Sequence, residues 1–210
     1  MFVERSLPMK KVISDRRLII GYILAHLLIY FSFNQEKVFW YIFTASMLML
    51  ISYTIVNETK IDGPKRNYLV IGIFSGIVLY GVFWLGDTFI YLLNLPLSGQ
   101  ITKLYKLFSP ENPWHYLVLI LIIAPGEEIF WRGFIQKRIL RNADARTSIL
   151  LSSLLYASVQ LHSGEFILIL AALTGGIVWG TLYAWKRNIR LVVLSHIVFD
   201  LLLFVFLPLR

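Results

Sequence analysis

YLVIGIFSGIVLYGVFWLGDTFIYLL, residues 68–93, runs from Tyr68 to Leu93 with Asp87 as its single charged residue. A helix that crosses the hydrocarbon of a bilayer needs about 20 mostly apolar residues. This segment exceeds that length, so it reads as a membrane span. Seven segments of the chain share its character or come close: Leu18–Phe33, Val38–Val56, Tyr68–Leu93, Trp114–Phe134, Ser148–Leu161, Phe166–Trp185 and Leu191–Leu209. The fifth is short and borrows a turn at each end. The expected fold is an all-α polytopic transmembrane helix bundle of about seven spans, a single fold unit.

Composition agrees. The 210 residues are 58% hydrophobic and only 15% charged, where a soluble domain carries about a quarter charged residues. The formal charge of +8 does not indicate nucleic acid, because the charges sit in short links between apolar blocks rather than on one amphipathic face. With no cysteine, disulfides, thiolate metal sites and a cysteine nucleophile are excluded. Met1–Arg17 is basic and leads into the first apolar block without a small-residue cleavage site, so that block reads as a retained span rather than a signal peptide.

The links also orient the chain. On the amino-terminal side lie Arg5, Lys10, Lys11, Arg16, Arg17, Lys60, Lys65 and Arg66. Arg132, Lys137, Arg138, Arg141, Arg146, Lys186, Arg187 and Arg190 join them, which makes sixteen of the twenty basic residues. The other side holds Lys37, Lys103, Lys106 and Arg210. The positive-inside rule then places the amino terminus in the cytoplasm and the carboxyl terminus outside. The longest link, Asn94–Pro113, carries Pro96, Pro110 and Pro113 and an amphipathic stretch at Leu104–Phe108 suited to the outer interface. Gly72-x-x-x-Gly76 and Gly176-x-x-x-Gly180 suit close helix packing.

Ionisable groups deep in a bilayer cost several kcal/mol and face cavities where they act. The densest cluster is Ala124-Pro125-Gly126-Glu127-Glu128-Ile129-Phe130-Trp131-Arg132. Glu128 and Arg132 are four apart and pair on one helix face. Glu127, about 100° round the helix, has no local partner and is free to act as a base. Pro125 and Gly126 are expected to loosen the helix so that backbone groups face a polar cavity. Glu127 lies roughly 16 Å from Arg138 along a straight helix, near the bilayer middle. His196 and Asp200, also four apart, lie at a similar depth in the last span and can meet the glutamates at one site. His162 points away from Gln160 and reads as an interfacial residue in a wet turn. Asp87 and His26 are lone polar residues, and His26 has no partner visible in the sequence.

These elements, in this order, resemble the CAAX-processing endopeptidase and bacteriocin-processing family of intramembrane proteases (the CPBP or Abi family) over roughly Trp114–Leu209. Its E-E-x-x-x-R motif is matched by Glu127, Glu128 and Arg132, and its H-x-x-x-N/D motif by His196 and Asp200. The stretch Ala171–Tyr183 is similar to the family's link between its second and third motifs. The middle motif, an aromatic residue followed four places later by His, departs: Tyr156 fills the aromatic place and Gln160 the histidine place. The resemblance implies residues 114–210 as the catalytic core, with residues 1–113 supplying three amino-terminal spans and the outer link. It implies hydrolysis of a peptide bond by water that Glu127 activates, in a cavity open to the cytoplasm. Glu128 and Arg132 would be fixed support, His196 would donate to the oxyanion and Asp200 would orient its ring. Gln160 can hydrogen-bond there but cannot take a proton. The implied partners are the lipid bilayer and a membrane-embedded, prenylated or leader-type peptide. No cofactor is favoured; a zinc ion would have Glu127 and His196 as ligands and would lack a third. Two other readings use the same residues. One is a non-proteolytic member acting as a membrane scaffold or self-immunity protein. The other is a small transporter, against which the small size and lack of inverted repeats count.

Overall fold

The computed structural model describes residues 12–58 and 68–209. Arg5, Lys10, Lys11, Lys60, Lys65, Arg66 and Arg210, which carry part of the charge pattern, lie outside the described residues. Within the described residues the chain is helical, without a strand. Helix α1 spans Arg16–Asn34 and starts at Asp15, whose carboxylate accepts from the backbone N–H of Arg17 and Leu18, the usual stabilisation of orphan donors at a helix start. A short turn at Glu36–Val38 leads into α2, Phe39–Asn57. Helix α3 is Tyr68–Leu92 and α4 is Ser98–Phe108. Residues 113–140 form one helical run, α5. Helix α6 spans Ala145–Val159, α7 Phe166–Lys186 and α8 Ile189–Leu201, the last continued by a π turn at Leu202–Phe206.

Among the described residues, five helical segments are long and apolar enough to cross a membrane: Arg16–Asn34, Glu36–Asn57, Tyr68–Leu92, Phe166–Lys186 and Ile189–Phe206. Large apolar side chains such as Val70, Phe74, Leu85 and Leu92 on α3 point outward, as in a protein whose solvent is lipid. The chain is a multi-pass integral membrane protein. The expected fourth and fifth spans are α5 and α6. Neither matches the other five: α5 carries Glu127, Glu128, Arg132, Lys137 and Arg138, and α6 has 15 residues. Instead α5 is the innermost helix, with Phe130, Phe134, Ile135 and Ile139 wholly buried.

Helix α6 packs along α7, α8 along α3, and α1 along α2, while the Ala124–Phe130 part of α5 lies between α2 and α8. Gly76 explains how closely α3 and α8 approach: a Cβ there would lie 2.6 Å from the carbonyl oxygen of Ser195. At one end of the bundle Arg138 gathers three helix termini. Its Nη1 donates to Asp15 Oδ2 at 2.7 Å, its Nε pairs with Glu58 Oε1 at 2.8 Å, and its Nη2 donates to the Asn57 carbonyl at 2.9 Å. At the opposite end the long link after α3 folds in part as α4. Lys103 pairs with Glu165, and the Tyr105 hydroxyl donates to the Leu203 carbonyl while accepting from Leu209 N–H.

Candidate active site

The site grows from α5. A π turn at Leu119–Ile123 precedes Pro125, and a second at Trp131–Gln136 follows Phe130. Proline offers no N–H to the helix ladder, and π turns are a common way for a helix to absorb such a change. Between them Ala124–Phe130 stays regular α-helix. The expected loosening at Pro125 and Gly126 is therefore corrected: the irregularity flanks them, and Gly126 serves packing. A Cβ on Gly126 would come within 3.1 Å of Met47 Cβ on α2.

Glu128 and Arg132 pair as their spacing predicts, with Arg132 Nη1 donating to Glu128 Oε1 at 3.1 Å and both side chains buried. The second guanidinium arm donates to the Gly176 carbonyl of α7 at 3.3 Å. The guanidinium carbon lies 5.0 Å from the Tyr156 ring centre and 5.5 Å from that of Trp179, within the range of cation–π attraction. One turn further along α5, Gln136 Nε2 donates to the Gly180 carbonyl at 2.8 Å.

Helix α8 delivers the imidazole. His196 Nδ1 lies 2.9 Å from Glu128 Oε1, a hydrogen bond in which the ring nitrogen donates to the carboxylate. Its other nitrogen, Nε2, lies 3.7 Å from Glu127 Oε2 and 3.6 Å from Asp200 Oδ1, too far for a hydrogen bond to either. Trp179 stacks on the imidazole, with ring centres 3.8 Å apart and planes 23° from parallel. The Trp179 indole N–H and the Ser75 hydroxyl both donate to Ser195 Oγ, at 3.3 and 2.9 Å. Glu128 and Trp179 thus fix the ring, a task that the sequence resemblance had suggested for Asp200.

Five expected residues, Glu127, Glu128, Arg132, His196 and Asp200, therefore meet in one buried cluster. Gln160 is buried at the start of a 3₁₀ turn, Gln160–Ser163, and is not among the partners joined by these contacts. His162 in the same turn leaves the site altogether. Its Nε2 lies 3.0 Å from Nδ1 of His26, whose Nε2 is 3.3 Å from Ser158 Oγ. His26 therefore has a partner, contrary to the reading from sequence, and that partner is His162. Asp87 is buried within α3. Trp179, Ser195, Ser75, Gln136 and the Gly176 carbonyl were not found from sequence. One signal was present: Arg132 and Gln136 are four apart, as are Gly176 and Gly180, so two matched rungs can join α5 to α7.

The donor set does not fit a zinc centre. Zinc takes three protein ligands and a water in catalytic sites, and among the described residues no trio of His, Asp or Glu is disposed to hold a metal ion. Glu128 and Nδ1 of His196 are already bonded to each other. No step below runs through a metal.

The cluster thus sets a buried glutamate 3.7 Å from an imidazole that a carboxylate–guanidinium pair holds from behind. Residues 109–202 match the family model described as type II CAAX prenyl endopeptidase Rce1-like. That segment, which holds the whole cluster and is a little under half of the chain, is similar to the CAAX-processing endopeptidase family that the sequence motifs indicated. The family is one of CAAX proteases. No curated protein and no solved structure matches the chain.

Proposed function

We propose that the protein is an intramembrane endopeptidase that hydrolyses a peptide bond with water activated by Glu127. The observation that carries this reading is the convergence of Glu127 and His196 Nε2, 3.7 Å apart, in a buried cluster. Water drawn between them loses its proton to Glu127 as its oxygen attacks the carbonyl carbon. The Nε2–H of His196, bonded to no other group, donates to the oxyanion that forms. Glu128 holds the imidazole at Nδ1, and Arg132 balances the charge of Glu128 so that the pair survives burial. Residues 114–210 form the catalytic core, and the helices of residues 1–113 brace it through Arg138, Asp15 and Glu58. The bias of basic residues toward the end that holds Arg138 supports a cytoplasmic amino terminus and a carboxyl terminus outside. The substrate is a membrane-embedded or lipidated peptide, such as a prenylated CAAX segment.

The test is cleavage of a prenylated CAAX reporter and of a membrane-peptide library by the purified protein in lipid. Cleavage by the wild type and none by Glu127→Gln is expected. Equal cleavage by both would refute the reading. A second reading, a non-proteolytic member of the family, is favoured by one observation: Gln160 stands where the family places a histidine. Wild type and Gln160→His that both leave every substrate intact would support it.

A further inference from the structure

Charge counting in the cluster exposes a proton that the mechanism above does not use. Glu127, Glu128 and Asp200 contribute three carboxylates from α5 and α8, set against one guanidinium, Arg132, and one imidazolium, His196. Tyr156 from α6, the other titratable group facing them, is neutral as a phenol, and α7 presents Trp179 and the Gly176 carbonyl. Fully ionised, the cluster would hold one excess negative charge. All five side chains are buried, and an uncompensated charge there is expensive. One further proton brings the cluster to neutrality.

The geometry says where that proton sits. Glu128 is engaged by Arg132 and by His196 Nδ1. Glu127 and Asp200 flank the same nitrogen, Nε2, at 3.7 and 3.6 Å, and neither is hydrogen-bonded to it. Two carboxylates sharing a confined site hold one proton between them, because both cannot ionise at low cost. We propose that Glu127 and Asp200 form such a dyad, with Asp200 as the catalytic acid that replaces the proton carrier missing at Gln160.

The inference rests on the proteolytic reading and completes its proton balance. In the resting site Glu127 is ionised and Asp200 holds the proton. The attacking water gives a proton to Glu127 as its oxygen bonds to the carbonyl carbon and the π pair moves to the carbonyl oxygen. When the intermediate collapses, C=O re-forms, the C–N bond breaks and the amine nitrogen takes the proton of Asp200. The proton on Glu127 then crosses to Asp200, directly or through water, and the site is reset. Glutamine at position 160 can take no part in such a transfer.

The experiment combines infrared spectroscopy of the protein in lipid with kinetics. The wild type at neutral pH should show the C=O stretch of a protonated carboxylic acid. Either Glu127→Gln or Asp200→Asn alone should abolish it, because each leaves the cluster neutral without the extra proton. Asp87→Asn, which removes a buried acid of α3 outside the cluster, should leave it. Asp200→Asn should lower kcat by about 10²–10⁴-fold, the range for a general acid, with little change in KM and loss of the alkaline limb of the pH profile. Asp200→Glu should recover part of kcat. A band that survives either single substitution, or Asp200→Asn with wild-type kcat and both limbs intact, would overturn the dyad. A band that behaves as stated in a protein that cleaves nothing would overturn the acid role and the proteolytic reading together while leaving the shared proton standing.

Discussion

Adding one methyl group on α3 should impair a site to which α3 contributes no acid or base. The Cβ of Gly76→Ala would stand 2.6 Å from the Ser195 carbonyl oxygen and 2.8 Å from Val198 Cβ. Backbone carbonyl and branched side chain cannot rotate away, so α8 must retreat by roughly 0.5–1 Å to regain van der Waals separation. Overpacking of this kind costs about 1–3 kcal/mol. His196 directly follows Ser195, so the retreat carries the imidazole with it, away from Glu127 and from Glu128 Oε1. A displacement of 1 Å at reacting groups costs on the order of 10²-fold in rate, so cleavage should fall by roughly 10–100-fold in a protein that still inserts and folds. Gly81→Ala on the same helix is the control, because its Cβ meets nothing within 4 Å. The assay is reporter cleavage in lipid beside thermal unfolding in detergent. Wild-type cleavage by Gly76→Ala, or equal loss in Gly81→Ala, would refute the idea that close approach of α3 sets the position of His196.

Glu127→Gln keeps shape and removes basicity, so cleavage should vanish while thermal stability stays near wild type. Arg132→Ala leaves buried Glu128 without its guanidinium, a break that costs about 3–5 kcal/mol, and should appear as a marked fall in melting temperature. Gln160→His adds a second proton acceptor of similar size and should raise kcat, by up to about 10²-fold at the low end of general acid–base effects; an unchanged rate would show that position 160 does not reach the reacting atoms. His162→Ala and His26→Ala should each leave cleavage unchanged, because the two imidazoles bond to each other and to Ser158 rather than to the cluster; loss of cleavage in either would refute that separation.

Apolar run length made the helical membrane fold legible, since the bilayer imposes its thickness on any chain that spans it. The spacing Glu128–Arg132 and His196–Asp200 was legible for the same local reason: four residues bring side chains onto one face of any α-helix. Pairings between helices were not. Nothing in the sequence says that His196 Nδ1 meets Glu128 rather than Asp200, because that depends on the rotation of α8 set by Gly72 and Gly76 against α3. His26 and His162 are separated by most of the chain, and only the packing of α1 on the turn after α6 unites them. The count of spans was the coarsest reading. The sequence reading counted α5 and α6 with the spans, yet one is charged and innermost and the other, with 15 residues, is short.

The rungs from Arg132 to Gly176 and from Gln136 to Gly180 end on main-chain carbonyls, and this bears on how the protein can vary. A carbonyl is supplied by any amino acid, so side-chain identity along that face of α7 carries no chemical information for the anchor. What is selected there is emptiness. A Cβ on Gly176 would crowd Ser153 at 3.0 Å, whereas one on Gly180 would meet Gln136 at an ordinary 3.4 Å. Descendants of this chain are free to drift at position 180 toward alanine, and at position 176 only together with Ser153. A saturation library should record that asymmetry as an evolutionary signature of helix contact, with no bearing on catalytic chemistry.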